Sequence, residues 1–148
     1  MNEARFSMAI FRRSESFVVV AENGGGGLYF AVEPVLRVPL ELDELTRAIR
    51  QAIVTSDLRA RDVNLRDYRS PIPKALGLKS NRSFDDSVLG YCSARRWDSY
   101  IEVISHQRAR DGRGFEPTDA GVTLPPTASA ADISRTAIEL MTPTGGAQ

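Results

Sequence analysis

The chain of 148 residues carries 19 basic and 19 acidic side chains, so with its single histidine neutral it has no net charge. Without a global field to draw it onto nucleic acid or an acidic membrane, any electrostatic recognition has to be local. An apolar share of 42% and a charged share of 26% are those of an ordinary globular domain, and the lone cysteine, Cys92, excludes an internal disulfide framework and suits a thiol-reducing compartment, the cytoplasm.

The N-terminal stretch has neither the basic segment nor the apolar run of a secretory signal, and nowhere do roughly 18 apolar residues follow one another, so neither export nor membrane spanning is expected. The first element read from the sequence is the β-branched run Glu15 to Glu22. Asn23 and four glycines end it, and Leu28 to Glu33 begins a second such run, so the two predict a β-hairpin. Pro34 interrupts the second run while Val35, Leu36 and Val38 continue it, which predicts an edge strand or a bulge at the proline.

After Pro39 the period changes. Leu42, Leu45, Ile49 and Ile53 recur at helical spacing with Ala48 and Ala52 in the same stripe, and the acids Glu41, Asp43 and Glu44 stand where the helix dipole favours them. This helix should stop near Ser56 or Asp57. Leu58 to Pro73 reads as an irregular connection or a frayed short helix, and a short helix is expected around Ser83 to Val88.

Tyr91 to Arg95 and Tyr100 to Ser105 flank a polar connection of hairpin length and predict a second hairpin. Arg108 to Gly114 is a charged loop, Val122 to Leu124 a short last strand, and Ser129 or Asp132 caps a C-terminal helix built on Ile133, Ala137, Leu140 and Met141. The whole predicts an α+β fold, an antiparallel sheet of hairpins with helices against one face. No repeat or linker divides residues 1–148, so one domain is expected, with a mobile tail at about 143–148.

Catalysis needs a base, a nucleophile or a metal in convergent geometry. His106 is the only histidine, which removes two-histidine mechanisms and His-His metal pairs, and no second cysteine is present for a zinc cluster. Neither a catalytic residue nor a cofactor or metal site is therefore assigned. A Cys92–His106 nucleophile pair on the second hairpin is the one enzyme reading left, against Cys92 as a buried small hydrophobe. Asn23 to Gly27 lacks the Lys-Ser/Thr ending of a phosphate loop and runs into a strand, so it reads as a hairpin loop.

Arg95, Arg96, Arg108, Arg110 and Arg113 stand near Trp97 and Tyr100 in the sequence, a format used for single-stranded nucleic acid. A nucleic-acid module using the 108–113 loop and Trp97 is thus an alternative. Asp98, Glu102, Asp111 and Glu116 interleave, which equally gives a solvated mixed-charge surface. The acidic clusters Glu41, Asp43, Glu44 and Asp85, Asp86 read as helix-end and surface acids, or as groups that meet a basic site on a partner.

From Leu78 to Pro125 the chain resembles the immunity proteins of bacterial contact-dependent growth inhibition systems. Leu78-Lys79-Ser80 with Phe84, the strand pair Tyr91 to His106, Gly114-Phe115-Glu116-Pro117 and Val122-Thr123-Leu124-Pro125 carry the resemblance, and Asn81 stands where the family often has an aromatic residue. The resemblance implies a non-catalytic protein that binds the C-terminal toxin domain delivered by a neighbouring cell, usually a nuclease and often one attacking transfer RNA. Such a protein blocks the toxin's active site or substrate surface. It transfers no contact residue; local chemistry alone nominates Glu41, Asp43, Glu44, Asp85, Asp86 and Trp97.

Overall fold

The computed structural model describes residues 4–25, 28–58 and 67–142. The expected mobile tail and the last two glycines of the 23–27 run lie outside the described residues, as does much of the 58–73 connection. Six strands occur among the described residues: β1 (Phe6–Arg12), β2 (Ser16–Gly25), β3 (Leu28–Pro39), β4 (Gly90–Arg96), β5 (Ile101–Arg108) and β6 (Phe115–Leu124). Helix α1 (Leu42–Thr55) follows β3, the short α2 (Ile72–Ala75) and α3 (Asn81–Ser87) precede β4, and α4 (Ala130–Met141) closes the chain.

The strands form one antiparallel sheet in the order β3-β2-β1-β4-β5-β6. Both predicted hairpins are present, and the pairing of β1 with β4 joins them into a single domain. The sequence assigns no element to β1. Its residues do not alternate, because the strand is covered on both sides: Phe6, Met8 and Ile10 enter one core, Ala9 and Phe11 the other. Val18, Val19 and Val20 of β2 are all fully buried for the same reason. A central strand of this kind reads as a continuous apolar run, which periodicity alone cannot separate from a buried helix segment.

The two-sided burial also corrects the expectation of helices on one face. Helices α1 and α4 cover the first face, where Leu45, Ala48, Ile49 and Ala52 meet Ile133, Ala137 and Met141 over the strands. Ile72 just before Pro73 and Phe84 of α3 cover part of the second face, packing on Phe11, Val18 and Val20. Burying a large aliphatic or aromatic side chain stabilises by about 1.5–3 kcal/mol, so strands apolar on both sides require both covers.

Local chemistry sets the boundaries. Ser129 caps α4 in a capping box, its hydroxyl accepting from Asp132 N while the Asp132 carboxylate accepts from Ser129 N. Ser80 caps α3 by accepting from Ser83 N at 3.1 Å. Strand β3 is an edge strand, and its register with β2 shifts between Val20 and Ala21, opposite Glu33 and Pro34, as the proline predicts. At the other edge β6 starts seven residues before its predicted Val122, since Phe115 already pairs with Arg108. Pro117 hides that strand in the sequence, but an edge tolerates it.

Candidate functional site

The second face changes character along the strands. Where α2 and α3 cover it the side chains are apolar; further along β1, β2 and β4 the same face carries Ser7, Glu22, Ser93 and Arg95. Ser7 is 0%, Ser93 3% and Glu22 9% exposed. A carboxyl group this buried in a sheet is unusual unless it is satisfied.

Ser7 satisfies it. Its hydroxyl donates to Glu22 Oε1 at 2.5 Å and accepts from Arg95 Nε at 3.1 Å, so one serine bridges carboxylate and guanidinium. Burial raises the Glu22 pKa above its ordinary 4.5, opposed by the Ser7 bond and the Arg95 charge. Arg95 lies with Cζ 3.8 Å from the centre of the Tyr29 ring, a cation–π contact of about 0.5–2 kcal/mol. Tyr29 stands opposite Gly24 in the register, and the missing side chain there leaves the ring room to lean over the sheet. Gly24 is fixed by its backbone: φ is 144°, and an added Cβ would lie 2.0 Å from the Leu28 carbonyl oxygen. The end of α1 ties in from the other side, where Ser56 Oγ donates to Glu22 O at 2.7 Å and accepts from Ser7 N at 3.0 Å.

Beside this trio runs an aromatic row. Tyr91 stacks on Phe11 at 4.4 Å and on His106 at 4.2 Å. His106 Nε2 lies 2.9 Å from Ser93 Oγ, and burial, helped by the Arg95 charge, pushes the imidazole pKa down to about 4. At neutral pH it is an uncharged ring. Burial also raises the Tyr91 hydroxyl, and Tyr68, raised by burial as well, donates its hydroxyl to Ala31 O at 2.8 Å. Titratable groups moved from their ordinary values cluster here, which marks candidate functional surfaces. The arrangement presents a fixed cation with aromatic support. No group of three or more His, Cys, Asp or Glu side chains fit to hold a metal occurs among the described residues.

Solved structures share this fold. A protein of unknown function from Neisseria meningitidis matches with a TM-score of 0.69 at 14% identity, over 95% of this chain and 93% of that one. A chain of the CdiA-CT/CdiI toxin and immunity complex from Yersinia pseudotuberculosis matches with a TM-score of 0.69 at 15% identity, over 95% of this chain and 97% of its own length. No protein-family model and no curated protein matches.

The residues nominated from the sequence fall in three places. Glu41, Asp43 and Glu44 lie at the start of α1 on the first face, where Glu44 pairs with Arg47. Asp85 and Asp86 lie on α3, over the second face. Burial raises the Asp85 pKa, with Arg108 opposing and Asp86 assisting. Trp97 follows β4 at the far end of the second hairpin, near Tyr100 at 6.4 Å, its indole nitrogen buried without an acceptor among the described residues. The structure brings together members of each acidic cluster but not the clusters with each other or with Trp97.

Two sequence readings are overturned. Cys92 and His106 are not a pair: Cys92 points into the first core, its thiol 3.7 Å from Ala137 O and pushed up to about 12 by burial, while His106 lies on the second face. Adjacent register positions put the two on opposite sides of a pleated sheet. Arg108 and the loop that follows it do not lie beside Trp97 either. The length of β5, seven rises or about 23 Å, separates the Trp97 turn from Arg108, whose Nη2 instead holds Asp85 O at 2.9 Å and Val88 O at 3.0 Å.

The family-like stretch maps to the second-face core: Phe84 is 3% exposed, Phe115 packs beside Tyr91, and Gly114 turns with φ of 69°. Pro117 lies within β6, opposite His106. Ser7, Glu22, Tyr29 and Arg95 form a polar inlay in this face, and the first three carry no functional signal in sequence spacing. Their one structural signal is that Glu22 shares the parity of Val18 and Val20, so it points to a side already committed to burial.

Proposed function

We propose that the chain is an immunity protein that binds a toxin domain and neutralises it by occluding its active site or substrate surface. The observation that carries this reading is the match, over 95% of the chain, to a chain of a toxin and immunity complex. The resemblance read independently between Leu78 and Pro125 supports it. The partner is the C-terminal domain of a contact-dependent growth inhibition toxin, a nuclease in this reading, met in the cytoplasm of the cell that makes the immunity protein. Neutralisation requires a tight complex and no turnover, so the protein contributes surface, not chemistry.

The test is co-expression with the toxin domain encoded beside the gene. The two chains should co-purify in a fixed ratio and growth should be restored. Failure on both counts removes the proposal.

A further inference from the structure

We propose that Arg95 is the anchor of the partner-binding surface and that it receives a carboxylate side chain of the toxin. The inference rests on the immunity reading and adds to it the face, the residue and the chemistry of the group taken up.

Three observations lead to it. The guanidinium is held in place before any partner arrives, by Nε on Ser7 and by the Tyr29 ring under Cζ. Side-chain freedom that would be lost on binding is thus already removed, a property of arginine and tyrosine hot spots. The two terminal nitrogens make no hydrogen bond among the described residues, nor are they among the buried polar atoms that lack one, so no described residue caps them. They form the fork that takes a carboxylate through two parallel bonds. Finally, Glu102 stands directly opposite Arg95 across β4 and β5, yet neither forms an ion pair among the described residues, because Arg95 turns the other way, toward Ser7 and Tyr29.

The charge pattern chooses between anions. Arg95 brings one positive charge, Glu22 and Glu102 two negative ones, and His106 is neutral at physiological pH. A nucleic-acid backbone would set several phosphates against a patch that is net negative among the described residues, whereas phosphate binding draws on several cations. A protein that places a carboxylate over Arg95 and a cation over Glu102 is complementary. On the β6 side, where Gly121 and Thr123 stand exposed beside Ile104 and Glu102, no described residue blocks the approach.

The test measures affinity for the toxin domain encoded beside the gene, at physiological salt, with thermal unfolding as the control for folding. Arg95→Gln should weaken binding about 30-fold or more, the loss of one desolvated charge pair. Because that variant leaves Glu22 without its counter-charge, the double variant Glu22→Gln with Arg95→Gln keeps the fold neutral at the inlay. It should still unfold in one cooperative transition and bind as weakly as Arg95→Gln. Glu102→Gln, which removes the acid across β4 and β5 from Arg95, should bind about 2- to 5-fold more weakly.

If the double variant binds within 3-fold of wild type, Arg95 is only the counter-ion of Glu22 and the inference is overturned. It is also overturned if an RNA oligonucleotide competes with the toxin through Arg95, since the group taken is then a phosphate. Wild-type binding that survives Arg95→Gln sinks this inference alone; no wild-type binding at all sinks the immunity reading and this with it.

Discussion

Replacing Ser7 with alanine removes one oxygen and should disturb three elements at once. Ser7 is fully buried, its hydroxyl donates to Glu22 and accepts from Arg95, and no described neighbour replaces it. A hydrogen bond to a charged group is worth about 1.5–3 kcal/mol when its loss leaves the charge buried, as at Glu22. The Arg95 bond adds about 0.5–1 kcal/mol, because the half-buried guanidinium can turn to water. The sum, about 2–4 kcal/mol, is a large part of the roughly 5–15 kcal/mol that holds a domain together. It corresponds to a fall in Tm of about 5–15 °C for a chain of this size.

Urea unfolding followed by circular dichroism at pH 8 reads the effect directly. In a Glu22→Gln background the bond becomes one between neutral groups, worth about 0.5–1.5 kcal/mol. The cost of Ser7→Ala should then fall by about 1–2 kcal/mol, the coupling isolated by a double-mutant cycle. A cost under about 0.5 kcal/mol for Ser7→Ala, or the same cost in both backgrounds, would refute the account of the inlay as a charge network bridged by Ser7.

Further outcomes follow from single features. The Cys92 thiol, buried and pushed up to about 12, should resist a disulfide reagent at pH 8 in the native protein and react once urea unfolds it; rapid native reaction contradicts its place in the core. His106 is the only histidine, so its proton resonances titrate without ambiguity, with a midpoint near 4 in the folded protein and near 6.5 in urea. Its folded pKa lies below the unfolded one, so the unfolded state takes up the proton first, and the stability tied to His106 is full above pH 6.5 and is lost as pH falls toward 4. Gly24→Ala, with a Cβ forced to 2.0 Å from Leu28 O, should destabilise by about 2 kcal/mol or more. Gly77→Ala, at φ 72° with open space around it, should cost about 1 kcal/mol; equal unfolding midpoints for the two variants would contradict the contrast.

Local pattern determined much of this protein from sequence alone. The stripe of Leu45, Ala48, Ile49 and Ala52 fixed α1, Ser129 with Asp132 fixed the start of α4, and Pro34 announced an edge strand, because spacing, caps and proline act over a few residues. The absence of a second histidine or cysteine narrowed the chemistry in the same way. Only tertiary structure decided the rest. That β1 is central, that Cys92 and His106 face apart, and that Trp97 sits a strand's length from Arg108 all depend on register, and one residue of register reverses a side chain's face. The inlay is the clearest case. Ser7, Glu22, Tyr29 and Arg95 come from four strands up to 88 positions apart between Ser7 and Arg95. Nothing local in the sequence links them; the sheet does, by laying those strands side by side.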